Sequence, residues 1–120
     1  MAYIENGTES VSISSKLIET VISEQTKFKG SVTTEQSIRI DGYFEGEINT
    51  TDTVIVTENG EFKGNVKCKE FQIYGKGSGT AVCESLCHLT DTGSFEGDIT
   101  TAALVTVRGS KLNGKVQITG

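Results

Sequence analysis

The chain has 120 residues, enough for one sizeable core and not for two. It contains 14 glycines, no proline and no tryptophan, and carries a formal charge of −5 with a pI of about 4.8. That acidic balance, with no basic cluster, argues against nucleic-acid binding by phosphate neutralisation, and no apolar run nears the roughly 20 residues of a membrane helix.

In chain order, residues 1–19 come first. They are largely polar, rich in Ser and Glu, and are read as a flexible N-terminal tail. Met1 to Ser10 shows no basic region followed by an apolar stretch, so no signal peptide is expected. Met1-Ala2-Tyr3-Ile4 is a very short apolar patch without basic neighbours, which allows weak membrane association at most. Three cysteines, an odd number with no secretory signal, point to reduced thiols in a cytoplasm.

Residues 20–120 follow a repeat. Phe28-Lys29-Gly30-Ser31-Val32 recurs as Phe44-Glu45-Gly46-Glu47-Ile48, Phe62-Lys63-Gly64-Asn65-Val66 and Phe95-Glu96-Gly97-Asp98-Ile99. Leu112-Asn113-Gly114-Lys115-Val116 is a conservative copy and Gly77-Ser78-Gly79-Thr80-Ala81 a degenerate one. The marker glycines 30, 46, 64, 79, 97 and 114 are 16, 18, 15, 18 and 17 residues apart. Four residues after each marker come Thr34, Thr50, Cys68, Cys83, Thr101 and Ile118. Further pairs follow: Ile38 and Ile40, Val54 and Val56, Phe71 and Ile73, Cys87 and Leu89, Val105 and Val107. Thr20 and Ile22 already match that second run.

Within a repeat the apolar residues alternate with polar ones, as in Phe28, Gly30, Val32 and Thr34, which is a strand with one buried face. Two such runs, separated by bends such as Glu35-Gln36 and Asp41-Gly42, leave no room for a helix. A repeat of this size cannot bury its apolar face alone, and stacking like residues at about 4.8 Å per coil solves this. The expected fold is all-β: a single-domain parallel β-helix, or solenoid, of about six coils of about 17 residues. The bias of parallel connections makes it right-handed. Spacings of 15, 16 and 17 are not multiples of six, which excludes the hexapeptide solenoid. An antiparallel sandwich is the alternative, but would not explain like residues at like offsets. Phe28, Phe44, Phe62 and Phe95, with Leu112, are expected to stack in one core column, with a gap at Gly77 between Phe62 and Phe95 that their rings or backbone approach would fill.

Signals of chemistry are weak. Cys83-Glu84-Ser85-Leu86-Cys87-His88 suggests a metal cluster, yet only Cys68 could join it and there is no second histidine. In the repeat frame Cys68 and Cys83 share one inward position, so the cysteines read as small buried hydrophobes. His88 lies between inward residues and should face solvent, without the partners a catalytic set requires. Gly75-Lys76-Gly77-Ser78-Gly79-Thr80 resembles a phosphate loop but runs into a strand where such a loop needs a helix. No catalytic, cofactor-binding or metal-binding residue is therefore assigned, and neither nucleotide nor nucleic acid is expected as a partner. Lys29, Glu45 and Lys63 should stack as an exposed charge ladder, each pair contributing tenths of a kcal/mol at most.

The phased set Thr20-Val21-Ile22, Lys27-Phe28-Lys29-Gly30, Ile38-Arg39-Ile40-Asp41-Gly42-Tyr43-Phe44-Glu45-Gly46 and Phe95-Glu96-Gly97-Asp98-Ile99 resembles the bactofilins, bacterial cytoskeletal proteins. The resemblance covers roughly Thr20 to Ile118. It implies a right-handed β-helix between short tails, nucleotide-free polymerisation into non-polar filaments, and a scaffolding role in cell shape or envelope organisation. It also implies a membrane contact through the tail at the inner face of the cell membrane, although the tail here sets Glu5, Glu9 and Glu19 against Lys16.

Two functions follow: a filament subunit whose partner is itself, or a non-polymerising solenoid enzyme of the acyltransferase or metal-hydratase type. The first is favoured, because the ends of the solenoid look uncapped. Ile22, Phe28 and Val32 are expected on the N-terminal end, and Val107, Leu112, Val116 and Ile118 on the C-terminal end, as the polymer interfaces.

Overall fold

The computed structural model describes the backbone of residues 2–4, 7–13 and 19–119, and the side chains of residues 22–119. These residues form strands β1 (Ala2–Ile4), β2 (Gly7–Ile13), β3 (Glu19–Ile22), β4 (Thr26–Thr34), β5 (Ser37–Ile40), β6 (Tyr43–Thr50), β7 (Thr53–Val56), β8 (Glu61–Ile73), β9 (Lys76–Leu89), β10 (Ser94–Thr106) and β11 (Lys111–Ile118). Every pairing between them is parallel. The six marker glycines stack in register and bound five turns of a β-solenoid that measures 33 × 24 × 18 Å. The turns between runs fall at the bends expected at 35–36 and 41–42.

The core is a set of columns running along the axis. Phe28, Phe44, Phe62, Gly77, Phe95 and Leu112 are successive register partners. Phe28 and Phe44 stack with centroids 4.9 Å apart and rings 14° from parallel; Phe44 and Phe62 do so at 5.6 Å and 19°. At Gly77 the column has no side chain: the Phe95 ring leans into the space, so that a Cβ on Gly77 would lie 2.9 Å from its Cδ1, and beside it, from the second run, stands Phe71. Its ring meets Phe62 at 6.1 Å and Phe95 at 6.3 Å, both edge-on. Edge-to-face contacts of this kind suit the ring quadrupole.

The marker glycines do not turn inward with Phe28 and Val32. They hold φ values from 117° to 145°, a conformation side chains rarely adopt. A Cβ on Gly46, Gly64, Gly79, Gly97 or Gly114 would lie 1.8–1.9 Å from the carbonyl oxygen of the preceding marker. Glycine is thus required wherever another layer lies on the N-terminal side. Gly64→Ala is expected to cost about 1–3 kcal/mol from backbone conformation alone, with the carbonyl clash in addition. Urea unfolding of the variant checks this, and an unchanged midpoint would refute it.

One register differs from the sequence expectation. Relative to both neighbours β9 carries one extra residue between Cys83 and Leu86, an irregularity of the β-bulge kind. The pair in register with Cys87 and Leu89 is therefore Leu104 and Thr106, not Val105 and Val107. Val105 stands opposite His88 and is 44% exposed. A shift of one residue moves a strand's whole apolar set to the other face.

The segment read from sequence as a tail holds two strands. β1 pairs with β3 and β2 with β4, adding a layer ahead of the first F-x-G run. Any backbone can offer ladder hydrogen bonds, so this layer carries no side-chain signature of the repeat.

Candidate functional site

The ends of the solenoid differ. At the C-terminal end, among the described residues, β11 pairs only with β10, and the 103–106 part of β10 pairs only with β9, so both leave one strand edge unpaired there. The last residues of the core columns meet solvent there: Leu112 over Phe95, Val116 over Ile99, Ile118 over Thr101 and Leu104 over Cys87. Val116 is 38% and Ile118 52% exposed, whereas Leu104 and Leu112 are partly buried against the core. Val107 lies just past β10, its N–H donating to the Leu89 carbonyl at 3.0 Å, with its side chain exposed at the margin of this face. Sequence reading missed Leu104, because the bulge in β9 changed the count. A signal was present in the 15-residue repeat, where Phe71 and Ile73 also arrive one residue early.

At the opposite end Ile22, Phe28 and Val32 are 0%, 0% and 1% exposed. They were expected on a bare end and are instead enclosed, because β1 and β2 occupy the strand edges of β3 and β4.

The cysteines line the interior. Cys68 and Cys83 are register partners, and the same column holds Thr101 and Ile118. All three thiols are free and buried. Hydrogen bonding to Cys68 pushes the Cys83 thiol up, Cys87 partly counters this, and burial raises it further. Hydrogen bonding to Cys83, then burial, pushes Cys87 up. Thiols held neutral are poor nucleophiles and poor metal ligands. Among the described residues no three His, Cys, Asp or Glu side chains are placed to hold a metal ion. A disulfide-exchange reagent is expected to leave these thiols unmodified in the native protein and to titrate all of them in denaturant. Rapid native reaction would contradict the packing.

His88 is half-buried on the outer side, between Gln72 and Val105. Gly75 lies in the bend before β9, and Lys76 to Thr80 already form the first part of that strand. The charge ladder forms as expected: Lys29, Glu45 and Lys63 are register partners, and Lys29 Nζ lies 4.0 Å from Glu45 Oε2. A cleft of about 550 Å³ is lined by residues that include Arg39, Asp41, Thr57, Glu24 and Asn59. Its polar groups bond one another: Arg39 Nε donates to Asp41 Oδ1 at 3.1 Å, Thr57 Oγ1 to the same oxygen at 2.7 Å, and Asn59 Nδ2 to Glu24 Oε1 at 2.9 Å. No helix among the described residues is long and apolar enough to cross a membrane.

The most distinctive surface is thus an end, where apolar columns and strand edges stop together. A family model described as bactofilin, polymer-forming cytoskeletal, matches residues 20–117. Bactofilin BacP of Myxococcus xanthus (strain DK1622) is 29% identical over 108 residues, covering 90% of this chain and 45% of that protein. The chain therefore spans less than half the length of the curated relative it matches. No solved structure matches. With the family match extending over nearly the whole repeat, the chain belongs to the bactofilins, a family of polymer-forming cytoskeletal proteins.

Proposed function

We propose that this chain is a structural scaffold subunit that assembles end to end into filaments without nucleotide, serving cell shape or envelope organisation. The observation that carries this reading is the C-terminal face, where Leu104, Leu112, Val116 and Ile118 end the core columns beside unpaired strand edges. Soluble solenoids normally cover such an end, and an open one invites a second copy. Pairing like ends uses two isologous contacts and gives a non-polar filament, the arrangement family membership favours. No step calls for a bound cofactor or a catalytic group. Association with the inner face of the membrane would be weak for one subunit and strengthened by the many copies along a filament. Electron microscopy and sedimentation in nucleotide-free buffer test the proposal. Long filaments, with no change on adding nucleotide, are expected; a discrete trimer at all concentrations would favour the solenoid-enzyme alternative.

A further inference from the structure

We propose that β1 and β2 form a detachable cap, so that the N-terminal-side end of a subunit joins a second copy only after they leave. This rests on the end-to-end reading above. The cap covers a face of the kind that the other end leaves open. Ile22, Phe28 and Val32 are enclosed beneath it, while Val116 and Ile118 at the far end stand in solvent. Without β1 and β2, the edges of β3 and β4 would be as unpaired as that of β11, since among the described residues their other partners are β5 and β6.

The register shows that this layer ends the stack rather than continuing it. Glu9 takes the position of Phe28, Gly7 that of Thr26 and Val11 that of Gly30. In the six layers below, the first column holds Phe, Leu or the lone Gly77, and the ladder column holds glycine throughout. A ladder residue must be glycine when another layer lies on its N-terminal side, because a Cβ would meet that layer's carbonyl. Valine at position 11 is therefore compatible with the last layer and incompatible with an in-register layer beyond it. Gly30, one layer down, already holds φ 145°. A terminating layer covers a propagating one.

The cap is also the layer with least to hold it. β1 has three residues and β2 seven, against nine for β4, and each pairs on one side only. Terminal layers of this kind open at low free-energy cost. The apparent affinity of the covered end for a second copy is its intrinsic affinity scaled by the fraction of subunits with the cap off.

Two full-length variants test this. Thr8→Cys with Lys27→Cys places two thiols on register partners, and oxidised glutathione closes them into a disulfide while being reduced to two thiols. Ile13→Asp, at the register position of Val32, loosens the cap. Sedimentation and electron microscopy are expected to show only dimers, joined at their C-terminal ends, for the locked protein, and filaments once dithiothreitol opens it. The loosened variant is expected to polymerise at a critical concentration lower by about 10-fold or more. Filaments from the locked protein as long as those from the reduced one would overturn the cap. So would loss of filaments in the loosened variant with dimers retained, since β1 and β2 would then be the contact itself. Monomers in every form would overturn the end-to-end reading as well. That failure is recognisable by the loss of the C-terminal contact, which the cap does not touch.

Discussion

Ile118→Lys and Leu112→Lys are each expected to give folded protein that no longer forms filaments. Ile118 is 52% exposed and Leu112 partly buried at the last layer, so in the isolated subunit a lysine at either site can carry its ammonium into water. In an end-to-end contact the same ammonium would be enclosed against the apolar columns of the second copy without a partner. That costs several kcal/mol, and each 1.4 kcal/mol weakens association about tenfold. Circular dichroism should be unchanged while sedimentation shows monomers, or short oligomers joined through the other end. If both variants keep their fold and still form long filaments, assembly is lateral and the end face has no part in it. Phe28→Lys does not serve the same purpose at the opposite end: Phe28 is fully enclosed, so a lysine there tests folding before it tests assembly.

The largest effect on stability is expected for Phe62→Ala, about 3–5 kcal/mol. Phe62 is fully buried, stacks on Phe44 and receives the edge of Phe71. On its C-terminal side the register partner of Phe62 is Gly77, which has no side chain to take up the cavity. Phe71, already in contact with both Phe62 and Phe95, would lose one of its two aromatic partners. Urea unfolding measures the change, and a loss below about 1 kcal/mol would show that the site collapses around the alanine.

Much of this molecule was legible before its structure. The F-x-G phasing gave the six layers that carry the motif, the Phe column, the shared position of Cys68 and Cys83, and the alternating charges of Lys29, Glu45 and Lys63. Each follows from local chemistry repeated. Period-two alternation fixes which side chains face the core, glycine marks a backbone conformation closed to other residues, and in-register stacking places equal offsets side by side. The same regularity exposed the family resemblance, because the motif set is the stacking pattern itself.

Three features depended on tertiary structure. The Phe95 ring leans into the gap at Gly77, but Phe71, a residue of the other run, stands edge-on between Phe62 and Phe95, because which ring of the second run turns there depends on packing across the core and not on offset along the chain. Leu104 rather than Val105 turns inward because a single extra residue in β9 resets the alternation relative to its neighbours. The N-terminal end is covered because β1 and β2 pair through backbone groups that every sequence carries, so residues without a repeat signature still add a layer. The sequence by itself determined the solenoid and the composition of its columns. Where the columns stop, and which end is open, was decided only by the pairing of strands.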